Sequence, residues 1–420
     1  MMKHANLVLG LMLAVLIVAP VAFALELVSP KEGEEFCALK PEHRRFLALD
    51  SAGRRAQFLD KAWRARIVQK DIFSTPLPLK LEWRGGKGPY EVKVELGDKT
   101  VFATNLMETT VDVWNLEIAR EYTWTVCGDG ACARGHFRTR DQAPRVMYVP
   151  DVPNIRDLGG RIGLNGRRVK QGMAYRAAGL NNNASLCYSC SETLKMYKEG
   201  VLEKKFGEEG RKMKERIDRE KGALTFDPKA PYLRKMLKKD EKDWRPGATR
   251  MTAEGLHIAN DLLGWKSDID LRSDGECWSM KGSPAGDGVK WWHISSKSYG
   301  TMGRPEGKEP FIKVFKVFLD ERNYPLVFHC IGGADRTGAV GFILNALLGV
   351  SDEELDKDWE FTVFVYEDQS FGHKSRFDKL RKVFDAYPGA TTREKVEAYV
   401  KELGFTDADI AKFRDIMLEK

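Results

Sequence analysis

Val327-Phe328-His329-Cys330-Ile331-Gly332-Gly333-Ala334-Asp335-Arg336-Thr337-Gly338 is the stretch on which the reading of this chain turns. Val327 and Phe328 read as the end of a buried strand, and Thr337 to Leu348 as a buried helix. The glycine-bearing loop between them therefore sits at a helix N-terminus. Unpaired N–H groups and the helix dipole favour an anion at such a place. A thiolate at Cys330 would face a bound phosphate, and the planar fork of Arg336 could hold two of its oxygens.

These residues resemble the signature of the cysteine-dependent phosphatases, HCxxGxxRT, at His329, Cys330, Gly333, Arg336 and Thr337. Three more stretches resemble motifs of a bacterial tyrosine-phosphatase branch: Asn154-Ile155-Arg156-Asp157-Leu158-Gly159-Gly160, Tyr175-Arg176-Ala177, and Ile269-Asp270-Leu271-Arg272-Ser273-Asp274-Gly275-Glu276. They follow the family order from about residue 150 to the C-terminus. The resemblance implies an α/β cysteine-phosphatase domain, a central sheet flanked by helices. It also implies two-step hydrolysis of a phosphomonoester through a phosphocysteine, without metal or other cofactor.

In that scheme Cys330 is the nucleophile. The amides of Ile331, Gly332, Gly333, Ala334, Asp335 and Arg336, with Gly338 beyond them, surround the phosphoryl oxygens beside the Arg336 guanidinium. His329 positions the cysteine, and the Thr337 hydroxyl can donate to the sulfur. Asp335 is the favoured general acid for the leaving alkoxide. Asp270 and Asp274 are rivals, and Asp270 is alternatively a carboxylate that holds loop amides. Asn154, Arg156 and Asp157 are expected to brace the floor. Ala334 stands where many relatives carry lysine, which weakens the case for a multiply phosphorylated inositol lipid unless cations elsewhere replace that charge.

Upstream of the linker the pattern changes to period two. Leu77, Leu79, Leu81 and Trp83 alternate with polar or small residues, as do Tyr90, Val92, Val94 and Leu96. Val111 and Val113 follow, then Tyr122, Trp124 and Val126, with turn residues between the sets. Such spacing predicts half-buried antiparallel strands and a small all-β sandwich. Tyr122 to Val126 and the closing Phe137-Arg138-Thr139 are similar to the last strands of fibronectin type III modules, an immunoglobulin-like architecture. Residues 43–70 read as a helix or an insertion, and Thr139 to Asp151 as a polar linker.

The chain opens with Lys3 and His4, an apolar run from Leu7 to Ala19, and Ala22-Phe23-Ala24. This is the pattern of a signal peptide. The run is shorter than the roughly 18–20 residues a membrane-spanning helix needs. The expected organisation is therefore a leader over 1–24, a sandwich over 25–140 and a catalytic domain over 141–420. Export follows, to the periplasm or beyond, with no stable membrane insertion after cleavage. Between Tyr175 and Asp270 lies a charged helical insertion, about 181–250. It is either a solvated surface or a basic lid over anionic substrates.

The formal charge of +7 is a mild excess that suits anionic substrates and does not indicate a nucleic-acid partner. The seven cysteines are an odd count, as expected if Cys330 stays free. Cys127 and Cys132 flank a turn and can pair across a hairpin. Cys187 and Cys190 leave a local disulfide, plain thiols or a redox pair open. A reversible Cys277–Cys330 bridge is open too. Two function classes remain: a phosphatase acting on a phosphorylated protein or small molecule, and a catalytically silent phospho-ligand-binding or adhesion protein whose sandwich meets a surface or protein partner.

Overall fold

The computed structural model describes residues 24–69, 74–150, 152–181, 251–273, 276–277, 280–365 and 374–420, with 199–201, 203–204, 211 and 214–215. The leader, Cys187, Cys190, Asp274 and nearly all of the charged insertion lie outside these residues.

The N-terminal part is rich in β-strand. Strands β1 (Glu26–Ser29), β3 (Leu79–Arg84) and β6 (Thr110–Val113) form one sheet, ordered β1-β3-β6. Strands β2 (Glu34–Phe36), β4 (Tyr90–Leu96), β5 (Lys99–Leu106), β7 (Glu121–Gly128) and β8 (Ala131–Thr139) form the other, ordered β2-β8-β7-β4-β5. The two sheets share a core. Leu79, Leu81 and Trp83 are buried together with Val92, Val94, Tyr122, Trp124, Val126 and Phe137. Strict alternation on β3 produces this inner face, because successive side chains leave opposite sides of a strand. Leu77, read as the first member of that series, lies outside the strand and is exposed. The β7–β8 hairpin sets Cys127 opposite Cys132, and the two form a disulfide.

Between β2 and β3 the chain forms three short helices, α1 (Pro41–Ala48), α2 (Ser51–Leu59) and α3 (Lys61–Gln69). Their apolar side is buried outside the sandwich. Phe46, Leu47, Trp63 and Ile67 pack with Phe361 and Phe364 of the C-terminal part. Arg54 is wholly buried in this joint, bonded to Glu360, to Glu353 Oε1 at 2.7 Å and to the Leu49 carbonyl. The stretch from Thr139 to Asp151 differs from the polar linker expected of it. Arg145, Val146, Met147 and Val149 are buried. Arg145 donates to Asp157 Oδ2 at 2.6 Å and to the Leu116 carbonyl at 3.0 Å, so the segment is a packed seam.

The C-terminal part mixes helix and strand. Strands β9 (Arg156–Asp157), β10 (Ala174–Ala177), β11 (Ser267–Asp270), β12 (Lys290–His293) and β13 (Leu326–His329) form a sheet ordered β12-β11-β13-β10-β9. All neighbours are parallel except β9 against β10. Leu326-Val327-Phe328 is apolar without alternation because the central strand β13 is buried on both faces. Along the chain follow helices α4 (Ala253–His257), α5 (Pro305–Phe318), α6 (Arg336–Leu347), α7 (Asp352–Glu360), α8 (Lys374–Asp385), α9 (Thr392–Glu402) and α10 (Asp407–Met417). Helix α6 is buried from Thr337 to Leu347. It ends at Gly349, whose φ of +78° suits glycine. Ser351 caps α7 through Glu354 N, and the Glu354 carboxylate turns to Lys357. Thr391 and Thr406 each form a full capping box. Among the described residues no helix is long and apolar enough to cross a membrane.

Removing one partner of a buried ion pair strands the other charge. Arg54→Leu should therefore cost roughly 3–5 kcal/mol. Thermal melts of the full chain check this. Arg54→Leu combined with Glu360→Leu should regain much of the loss, whereas an unshifted melting temperature in the single variant would show the joint to be dispensable.

Candidate active site

Strand β13 ends at His329, and α6 begins at Arg336, so residues 330–335 form the loop between them. Three consecutive carbonyls of this loop are held from outside. Ile331 O accepts from Gly179 N at 2.9 Å, Gly332 O from Asn154 Nδ2 at 2.9 Å, and Gly333 O from Arg176 Nη2 at 2.7 Å. In a planar trans peptide the N–H points opposite to the C=O. Pulling these oxygens outward turns the N–H groups of Gly332, Gly333 and Ala334 inward. None of those three amides donates a hydrogen bond to another described residue. The result is a cradle of donors over the N-terminus of α6, suited to an anion. Gly333 has φ +65°, and an added Cβ would lie 2.7 Å from the backbone of Ala177 and Ala178. Only glycine fits there.

The floor is a fan of guanidinium groups around Asp358. Arg161 reaches Asp358 Oδ1 at 2.9 Å, Arg156 reaches it at 3.3 Å, and Arg176 bonds Oδ2. Arg156 also bonds the Asn154 side-chain oxygen, so both hands on the loop carbonyls belong to one network. Burial alone would raise the Asp358 carboxyl, but the charges of Arg176, Arg161 and Arg156 outweigh it and hold the group well below the ordinary range. Even with Glu354 3.8 Å from Arg161, two carboxylates do not balance three cations. Burial, followed by repulsion from Arg176, brings Arg156 down to about 9. Asp157 is buried apart from this fan and binds Arg145 and the amides of Gly159 and Gly172.

Behind Cys330 lies His329, with no exposed surface. Its Nε2 is 3.0 Å from Asp268 Oδ1 and 3.8 Å from Asp270 Oδ2, close enough for charge attraction though poorly aligned for hydrogen bonding. Burial disfavours the imidazolium, yet Asp270 and Asp268 together overcome this and raise its pKa. Asp270 is also fully buried, with both oxygens bonded to Arg272. Its carboxyl lies far below the usual range, because Arg272 and His329 outweigh the cost of burial. Asp270 also accepts from the Arg272 amide at 3.0 Å, which is the loop-holding alternative stated for it and leaves no exposed oxygen for a substrate. Cys277 is a free thiol 3.5 Å from Asp270 Oδ2 and 3.4 Å from His293 Nε2. Cys330 is likewise free, and no bridge joins the two. Burial, then Asp270, pushes the Cys277 thiol up and leaves it protonated.

At the mouth Arg336 makes a two-pronged pair with Glu276, at 2.6 and 3.0 Å. Burial would raise the Glu276 carboxyl, but Arg336 and the Ser273 amide lower it. Asp335 is half-buried and accepts a hydrogen bond from the Tyr299 hydroxyl. Both Asp335 and Arg336 line a cavity of about 970 Å³, with Glu276, Ser296, Lys297, Tyr299 and residues beyond them. Cys330 is 2% exposed; of its loop, Asp335 reaches the cavity lining, followed by Arg336 at the start of α6. Ile331 is at the surface, and Ala334 is buried. Gly338 packs near Trp359 and Arg176, inside the first turn of α6. Thr337 departs from expectation: its hydroxyl is buried without a hydrogen-bond partner among the described residues, so the bond to the sulfur is not formed. Among those residues no cluster of histidine, cysteine or carboxylate groups is placed to hold a metal ion.

Sequence reading missed Glu276, Asp358, Arg161 and Tyr299. Glu276 closes a quoted motif and was within reach. Asp358 sits in the charged run from Asp352 to Glu360, which looks like a solvated face.

The model of the tyrosine phosphatase family matches residues 245–419, a span that includes β11, the Cys330 loop and α6 through α10. The chain carries a cysteine-based phosphatase-like catalytic domain, and its activity is phosphatase-like. Residues 154–160 and 175–177, which complete the loop floor, lie before the matched span. No curated protein matches the chain. Among solved structures it is similar to the core catalytic domain of the PP-IP phosphatase SIW14 from S. cerevisiae in complex with citrate. The two are 16% identical over 36% of this chain and 81% of that one, with a TM-score of 0.20.

A histidine whose pKa rises on folding contributes stability in full below its unfolded value, about 6.5, and loses it as pH climbs through the folded value. The melting temperature should therefore fall as pH rises above about 6.5, the unfolded reference value. His329→Gln should flatten this part of the curve. A flat wild-type profile would show that the imidazole is not charged in the fold.

Proposed function

We propose that the chain is a cysteine-dependent phosphomonoesterase, acting through a phosphocysteine at Cys330. The observation that carries this reading is the convergence of the inward amides, the Arg336 guanidinium and the Cys330 sulfur on one loop at the N-terminus of α6. The Cys330 thiolate attacks phosphorus, the P–O bond to the substrate breaks, and the leaving oxygen takes a proton from Asp335. The Asp335 carboxylate then accepts a proton from water as its oxygen attacks phosphorus. The S–P bond breaks, inorganic phosphate leaves, and the thiolate is restored. Loop amides and Arg336 hold the equatorial oxygens in both steps. Arg336 is already aimed at the mouth by Glu276, which limits the reorientation needed for binding.

Asp335 is the better placed proton donor. It faces the cavity beside Arg336, and Tyr299 fixes one of its oxygens. The rival Asp270 is enclosed by Arg272. Asp274 lies outside the described residues.

We also propose that the protein is exported and that its two-sheet unit is a fibronectin type III-like module offering a surface to a partner. The leader pattern supports export, and the Cys127–Cys132 disulfide is of a kind stable in an oxidising compartment.

Hydrolysis of p-nitrophenyl phosphate should disappear in Cys330→Ser. Persistent turnover in that variant would remove the phosphocysteine. If the wild type itself binds phosphate esters without hydrolysing any, the silent-binder reading takes its place. Asp335→Asn should slow alkyl phosphates by about 10²–10⁴-fold, the range ascribed to general acid–base catalysis. It should slow p-nitrophenyl phosphate much less, since that leaving group needs little protonation. Equal losses on both substrates would assign the proton to another group.

A further inference from the structure

Helix α8 presents cations in two directions. Arg381 turns toward α7, where it pairs with Asp352 at 3.2 Å and Asp356 at 2.6 Å. Lys379 and Lys382 instead line the cavity over the Cys330 loop. Lys297, at the end of the segment after β12, and Arg304, at the entrance to α5, line the same cavity. These four side chains are exposed, and none has an ion-pair partner among the described residues. With Arg336 they set five cations around one opening, against Glu276 and Asp335 among the described residues. Glu276 already binds Arg336, and Asp335 already accepts from Tyr299. Exposed cations facing one concavity repel each other and raise its potential, so the opening favours a ligand with more than one negative group.

The rest of the wall indicates what carries those groups. Ser273, Ser296, Ser298 and Thr301 supply hydroxyls, and Val383 and Tyr299 are the aliphatic and aromatic residues of the lining. An aromatic phosphoester gains most of its binding from apolar and aromatic walls. A polyol gains more from hydroxyl partners and loses little to this lining. The volume of about 970 Å³ is that of a small-molecule site.

We propose that Lys297, Arg304, Lys379 and Lys382 form a second anion subsite, and that the substrate is a small polyhydroxylated molecule bearing two or more phosphates. One phosphate sits in the loop cradle while another is held by these four cations. The proposal rests on the phosphatase reading above. Free polyol phosphates and the same headgroup on a lipid share this chemistry.

The test compares inositol 1-phosphate, inositol 1,4,5-trisphosphate, vesicles of phosphatidylcholine with phosphatidylinositol 4,5-bisphosphate, a phosphotyrosine peptide and p-nitrophenyl phosphate on the full chain. Wild type should favour the trisphosphate over the monophosphate by about tenfold or more in kcat/KM, with a steep decline as salt increases. Lys379→Gln combined with Lys382→Gln should collapse that ratio, chiefly through KM. Lys313→Gln with Lys316→Gln, on the exposed face of α5, should leave the ratio intact. Binding of the trisphosphate to Cys330→Ser, measured by calorimetry, should weaken about tenfold or more when both α8 lysines are neutralised. Activity on the soluble ester or only on vesicles supports the subsite either way and identifies its source. Turnover of p-nitrophenyl phosphate without preference for the trisphosphate, or a preference for the phosphopeptide, overturns the subsite alone. No turnover of any ester overturns the phosphatase reading and the subsite with it.

Discussion

The site depends on the outward restraint of three carbonyls, those of Ile331, Gly332 and Gly333. Peptide planarity converts that restraint into inward N–H groups, which would otherwise rotate toward solvent or toward one another. A preformed cradle of this kind needs no reorganisation when charge moves between oxygen and sulfur. The cost falls on the groups that do the holding, because Asn154 and Arg176 must be buried and kept in place.

Asp358 keeps them in place. It gathers Arg156, Arg161 and Arg176, and through these the loop is tied to α7. The same helix carries Glu353 and ends at Glu360, the partners of Arg54 from the helices inserted between β2 and β3. The helices inserted in the β-rich part and the loop floor thus meet on one short helix, in addition to the seam through Arg145. An excess of buried cations under the cradle also places positive potential where a phosphate and a thiolate must coexist.

Charge is divided by depth. Below the loop, cations are locked by carboxylates and serve geometry. At the rim, Lys297, Arg304, Lys379 and Lys382 are unpaired among the described residues and face the cavity. His329 lies between these layers, its positive form stabilised by Asp268 and Asp270 behind the nucleophile. Asp270 stood in sequence as a rival general acid or as a carboxylate holding loop amides, and it holds the Arg272 amide and guanidinium. Its place at the end of β11 turned its side chain under the neighbouring strand.

The sequence by itself determined the elements whose signals are local. The strand–loop–helix around Cys330, the period-two strands from Leu79 to Val126, and the hairpin pairing of Cys127 with Cys132 were all legible, because periodicity and turn residues act over a few positions. Strands β1 and β2 were not, being short and weakly patterned, and β5 shows no regular alternation in burial. Only the tertiary structure decided which charges would be buried together. Asp358 and Arg54 look like surface residues in their helices, since a carboxylate and a guanidinium read the same in sequence whether they meet water or each other. The partner that makes burial tolerable lies in each case about 200 to 300 residues away, brought near by packing that no local window contains.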